Sequence, residues 1–223
     1  MKLRGIVFDF DGVIADSESL HFKGYRDVLA EEDLVLTQAE YLARYLGYDD
    51  VGAFEAIAAD RGRQWSSQQI AGMVAQKASR LEALAHDHSL LFPGAAAAIE
   101  RLAAVCPLAI ASGALRAEIE RVLAQEGLSR YFVTIVGADD VRASKPAPDP
   151  YLKAISVLAG EASPPAAQYV AIEDSRWGLE SARAAGLKTV AVTHTYPAAD
   201  LLDADLTVSN LDTLTIDVLA GLV

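Results

Sequence analysis

Cysteine is nearly absent: Cys106 is the single one in 223 residues. No disulfide can form within the chain, a reducing compartment suits it, and a lone buried thiol reads as a small apolar side chain. Positive charge is also scarce, with 19 Lys and Arg against 31 Asp and Glu and a formal net charge of −12 at pH 7. Non-specific nucleic-acid binding works through cations that displace counterions from phosphates, so this balance excludes nucleic acid as a partner. A small anion needs only local positive charge or a metal ion, and the acidity does not exclude it. No apolar run is long enough to span a bilayer. The opening "MKLRGIVFDFDG" has too short an apolar stretch, ended by acids, for a signal peptide. These absences lead us to expect a cytoplasmic protein with no membrane partner, a monomer or small homo-oligomer. With 52% hydrophobic residues and only 8 Pro and 15 Gly, the composition is that of an ordered globular chain. Its length allows one large domain or a domain that carries an insertion.

Short apolar runs alternate with longer amphipathic stretches. The runs are "RGIVFDF" (4–10), "PLAIAS" (107–112), "FVTIVG" (132–137), "QYVAIED" (168–174), "KTVAVTH" (188–194) and a weaker "DLTVS" (205–209). Several are continuous rather than alternating, as strands covered on both faces are. Between them, "PGAAAAIERLAAV", "LRAEIERVLAQEG", "PDPYLKAISVLAG" and "SRWGLESARAAG" carry helical spacing, three of them ending on Gly. Repeated βα predicts an α/β fold, a Rossmann-like doubly wound parallel sheet. Residues 17–88 break the rhythm: they read as successive helices with no persuasive strand, an all-helical insertion after the first strand. The expected division is therefore 1–16 and 89–223 for the catalytic core, and 17–88 for a helical cap joined to it by two connections that permit closure.

In such a sheet ligands bind beyond the carboxyl ends of the strands. The residues that follow the runs are chemically biased: Asp9 and Asp11 after the first, Ser112 and Gly113 after the second, Glu173 and Asp174 after the fourth, with Lys145 in "ASKPAPDP" between the third and fourth. A parallel sheet brings these scattered positions to one edge. Each type suits phosphoryl transfer. Asp9 can attack phosphorus to form an acyl phosphate, and Asp11 can donate a proton to the departing oxygen and later take one from water. Two acids beside a phosphate dianion demand positive charge. Oxygen ligands select a hard cation such as Mg²⁺, offered here by Asp9, Asp174 and Glu173, with the backbone carbonyl of Asp11 as a further ligand. Lys145 would neutralise phosphoryl oxygens and keep Asp9 ionised, while Ser112 and the backbone amides of Gly113 and Ala114 donate hydrogen bonds to the substrate. Ser112 is also placed to cap the helix after it.

With "DFDGVIADS", "IASGA", "SKPAPDPY" and "IEDSRWGLESARAAG" in this order, the chain resembles the haloacid dehalogenase superfamily of phosphatases with a helical cap, in the group that contains β-phosphoglucomutase and phosphoglycolate phosphatase. The resemblance covers nearly the whole core. It implies Asp9 as nucleophile, Asp11 as acid/base, Ser112 and Lys145 as phosphate holders and Asp174 as Mg²⁺ ligand, which are the roles the residues themselves suggest. It further implies that His21 and Lys77 of the insertion stand where mutase-like members carry a histidine and a lysine facing substrate. The expected activity is Mg²⁺-dependent hydrolysis of a small phosphorylated metabolite, of the phosphoglycolate or sugar phosphate type. A β-phosphoglucomutase-like transferase is the alternative, although mutases of this group carry an arginine near where this chain has Tyr48, Asp49 and Asp50. A haloacid dehalogenase lacks the second aspartate, so Asp11 argues against it. A catalytically silent phosphoester-binding module fits poorly with a complete catalytic set. His194 follows the fifth run, and the sequence offers it no partner.

Overall fold

The computed structural model describes residues 2–46, 48, 50–87, 89–162 and 164–223. They form two compact units, one of 1–16 and 90–223, the other of 17–89. The first is built on strands β1 (Gly5–Phe8), β2 (Leu108–Ala111), β3 (Phe132–Val136), β4 (Tyr169–Glu173), β5 (Lys188–Val192) and β6 (Leu206–Val208). They lie in the order β3-β2-β1-β4-β5-β6, every pair parallel. This is the doubly wound sheet that the sequence predicts.

The strands β1, β2 and β4 are buried along their whole length, which explains their unbroken apolar sequence. Because side chains alternate across a strand, Ile6, Phe8, Ile110 and Ile172 fall on one face of the sheet. There they join Ala98, Ile99 and Leu102 of α5 (Ala95–Ala103) and Ile119 and Leu123 of α6 (Arg116–Gln125). Val7, Ala109, Ala111 and Ala171 point the other way, towards Tyr151 and Ala154 of α7 (Asp149–Ala159) and Ala182 of α8 (Arg176–Ala184). Small alanines on that face leave room for the bulky Tyr151. The chain closes with α9 (Ile216–Ala220), too short for its periodicity to stand out in the sequence. The cap position of α6 is Leu115, so Ser112 does not cap it.

The second unit contains α1 (Ser17–Glu31), α2 (Gln38–Arg44), α3 (Asp50–Arg61) and α4 (Ser67–Asp87), with no strand among its described residues. Apolar side chains at helical spacing, Tyr25, Val28 and Leu29 of α1 with Phe54 and Ile57 of α3 and Ile70 and Met73 of α4, close its core. Tyr25 meets Phe54 edge-on with ring centroids 5.2 Å apart.

Ile110 is fully buried at the centre of the sheet. Replacing it with alanine leaves a cavity between two well-packed layers and is expected to cost about 2–5 kcal/mol of unfolding free energy, read by chemical denaturation. A cost below about 1 kcal/mol would contradict this packing.

Candidate active site

Strand order reverses between β1 and β4, and there the carboxyl ends of adjacent strands open a crevice. Phe8 lies opposite Ile110 on one side and Ile172 on the other. The next residue, Asp9, therefore leaves the sheet beside Glu173, its backbone N–H still donating to the Ile172 carbonyl at 2.9 Å. The chain then turns tightly: the Ile14 and Ala15 N–H groups donate to the Phe10 carbonyl, each at 2.9 Å, and Gly12 N–H donates to the Ala15 carbonyl at 2.9 Å. Asp11 sits inside this turn, bridged to Ala15. Gly12 has φ +75°, and a Cβ on it would overlap the Asp174 carboxylate. Only glycine meets both demands.

Asp9, Glu173 and Asp174 are buried, and one oxygen from each lies within 4.8 Å of the others. Between them stands Lys145, its Nζ 2.9 Å from Asp9 Oδ1 and 2.5 Å from Glu173 Oε1. Glu173 is the most heavily bonded of the three. Its Oε1 also accepts from the Tyr151 hydroxyl at 2.6 Å, and its Oε2 takes the Asp174 N–H at 3.2 Å and the Ser175 hydroxyl at 3.3 Å. Gly178, in the first turn of α8, makes room for this carboxylate, which a Cβ there would overlap. The Phe10 N–H donates to Asp9 Oδ1 at 2.7 Å.

Burial, then the charge of Glu173, pushes the Asp9 carboxyl well above the usual carboxylate range, and Lys145 only partly opposes this. The same two causes, in the same order, raise Asp174 to about 7, against a hydrogen bond from Thr195. Lys145 feels burial in the opposite sense, but Asp9 and Glu173 outweigh it and hold the ammonium protonated. Three buried carboxylates thus share one cation. The deficit of positive charge and the all-oxygen donor set fit a hard divalent ion.

Ser112 is buried one residue beyond β2, its N–H donating to the Val136 carbonyl at 2.9 Å. Its Oγ accepts the Ala114 N–H at 3.1 Å, and Gly113 faces open space where a side chain would be. Three residues to which the sequence assigns no role in the site, His194 among them, also belong to this edge. Tyr151 donates to Glu173, Thr195 stands beside Asp174 at the Gly12 Cα, and His194 Nδ1 lies 3.0 Å from the Gly12 carbonyl. The last two follow β5, so the strand-end rule that found Asp9 and Asp174 also points to them.

His21 and Lys77 belong to the helical unit and meet there. Lys77 is fully buried, with Nζ 2.9 Å from His21 Nδ1, 4.1 Å from the centroid of the Tyr25 ring and paired with Asp50. Asp49 lies outside the described residues. Since the ammonium can only donate, His21 Nδ1 accepts and the ring is neutral. Burial, then the Lys77 charge, lowers the His21 pKa to about 4 from an ordinary 6.5. In this window the unfolded chain takes up a proton that the folded one refuses. The stabilisation is complete above about pH 6.5 and is lost as pH falls towards 4. We expect about 3 kcal/mol to disappear over that range and His21→Asn to flatten the dependence, measured by denaturation at several pH values. Equal slopes in variant and parent would refute the assignment.

The geometry agrees with what comparison shows. The family model of the haloacid dehalogenase-like hydrolases matches residues 6–192. Protein CbbY of Rhodobacter capsulatus is 36% identical over 208 residues, covering 90% of this chain and 89% of that protein. The fructose-1-phosphate phosphatase YqaB of Escherichia coli is 32% identical over 205 residues, covering 86% and 97%. Among solved structures, a mutant CbbY from Rhodobacter sphaeroides in complex with xylulose-(1,5)bisphosphate superimposes with a TM-score of 0.71 at 26% identity, covering 95% of this chain and 96% of that one. With the doubly wound sheet, the helical insertion and the acidic cluster at the switch point in place, the chain belongs to the haloacid dehalogenase-like hydrolases.

Proposed function

We propose that this protein is a Mg²⁺-dependent phosphatase that hydrolyses a small phosphomonoester of the sugar phosphate or phosphoglycolate type through an aspartyl-phosphate on Asp9. One observation carries the reading. Lys145 pairs with Asp9 Oδ1 and the Phe10 N–H donates to the same oxygen, which holds the carboxylate at the switch point where one of its oxygens can attack phosphorus. The names of the relatives support the substrate class, since one is a fructose-1-phosphate phosphatase and another was crystallised with a sugar bisphosphate.

In the first step an Asp9 oxygen bonds to phosphorus as the ester P–O bond breaks, and the Asp11 carboxyl gives its proton to the departing oxygen. In the second, Asp11, now a carboxylate, takes a proton from water as the water oxygen attacks phosphorus. The Asp9–phosphorus bond breaks, releasing inorganic phosphate and restoring Asp9. Lys145 neutralises the phosphoryl oxygens, with Ser112 and the amides of Gly113 and Ala114 donating to them. Asp9, Asp174 and the Asp11 carbonyl would hold the Mg²⁺. Glu173 adds its charge to the cluster, but four donors occupy its oxygens, so its part is to orient Lys145. Bound Mg²⁺ supplies the positive charge that lets a phosphate dianion approach three carboxylates.

The meeting of His21 and Lys77 favours the phosphotransferase reading, as mutase-like relatives carry both. Against it, Lys77 is matched by Asp50, so it offers no spare charge for a second phosphate group.

The test is a phosphate-release screen over phosphoglycolate, fructose 1-phosphate and hexose phosphates, with Mg²⁺ and with EDTA. We expect metal-dependent release, reduced at least about a thousandfold by Asp9→Asn. Undiminished turnover by that variant would overturn the nucleophile. Isomerisation of a hexose phosphate without phosphate release would establish the transferase instead.

A further inference from the structure

The carboxyl end of β5 carries two consecutive polar side chains, each holding a different part of the site. Thr195 flanks the Gly12 Cα together with Asp174. His194 lies with Nδ1 3.0 Å from the Gly12 carbonyl. A carbonyl only accepts, so Nδ1 carries the proton and the tautomer is set. The imidazole also stacks on Phe92, with centroids 4.0 Å apart and planes 22° from parallel. Phe92 is in turn tied to the same turn, its N–H donating to the Ile14 carbonyl at 2.9 Å, while Asp16 N–H donates to the Leu90 carbonyl at 2.7 Å.

These contacts converge on the most pliable point of the site. Gly12, at φ +75°, has no side chain to hold it and many conformations open to it. The peptide before it contains the Asp11 carbonyl, and Asp11 itself is one bond further back. Asp174 and Thr195 wall off the Gly12 Cα, since a Cβ there would overlap the Asp174 carboxylate and lie 2.8 Å from Thr195 Oγ1. What remains is rotation of the peptide that follows Gly12, and that is the carbonyl His194 grips.

We propose that His194 is a positioning residue: its hydrogen bond to the Gly12 carbonyl, braced by the stack on Phe92, holds the 10–15 turn in the conformation that aims Asp11 at the departing oxygen. This rests on the reading of Asp11 as proton donor. His194 touches neither substrate nor metal in this scheme; it acts through the turn. Misplacing a proton donor slows the step that needs the proton and leaves ground-state binding alone.

Two aryl phosphates separate this from a merely structural role. 4-Nitrophenolate leaves readily as an anion, whereas phenolate, whose conjugate acid titrates near pKa ~10 as tyrosine does, benefits from a proton as it departs. With Mg²⁺ and the full chain, His194→Phe keeps the stack and loses the donor. It should lower kcat/KM, which reads only the step in which the leaving group departs, about tenfold on phenyl phosphate and less than about threefold on 4-nitrophenyl phosphate. His194→Asn, which keeps an N–H donor at the position of Nδ1, should recover most of that loss. Asp11→Asn should show the same leaving-group dependence more strongly. Equal losses on the two esters with His194→Phe, or no loss, overturn the proposal while leaving Asp11 in its role. Absence of leaving-group dependence in Asp11→Asn removes the role of Asp11 and this proposal with it. Should His194→Phe not fold, His194→Gln, whose donor lies too far out to reach the carbonyl in the same geometry, decides by the same comparison.

Discussion

One buried ammonium holds the carboxyl edge of this sheet together. Lys145 reaches Asp9 and Glu173 at once, and without it three carboxylates would face one another with no cation in reach. Burying charge is tolerable only when it is paired and hydrogen-bonded, so the rest of the site is organised around Lys145. Tyr151 shares Glu173 Oε1 with Lys145, Ser175 binds the other oxygen, and the Phe10 amide steadies Asp9. Even so the charges do not balance. The raised Asp9 and Asp174 mark the remaining deficit, and that deficit fits a hard divalent ion better than an inert ion-pair network.

The packing of the sheet serves the same arrangement. Alanines at 109, 111 and 171 leave space for Tyr151 beneath the strand ends, where its hydroxyl meets Glu173. Gly178 keeps the first turn of α8 clear of that carboxylate, and Gly12 lets the Asp11 turn fold directly against Asp174. The two glycines do different work: one yields volume in an ordinary helix, the other also accepts a left-handed backbone.

Much of this was legible before any fold was known. Continuous apolar runs such as "GIVF" announced strands buried on both faces, and the acids and Ser112 directly behind them marked the binding edge. The division of roles among the acids was less legible. Glu173 and Asp174 are adjacent in sequence and look equivalent, yet the last residue of β4 points under the edge to four donors while the next is in reach of Thr195 and Gly12. His194 stands behind an apolar run, but its role was illegible for a similar reason. Its partners, Gly12 and Phe92, lie far away in the chain and carry no chemical signature: one is a main-chain carbonyl and the other an ordinary core aromatic.

By itself the sequence determined the alternation of strands and helices, the helical insertion, the acidic and lysine-bearing motifs and hence the family, because these follow from local spacing and from which residue types stand behind each apolar run. The tertiary structure alone decided who touches whom: that Lys145 bridges Asp9 and Glu173, that Asp50 is the counter-charge of Lys77, and that the chain after β5 brings His194 to the Gly12 carbonyl. Pairings of that kind depend on strand order, register and the packing of one helix on another, and no periodicity in a linear chain encodes which element will lie beside which.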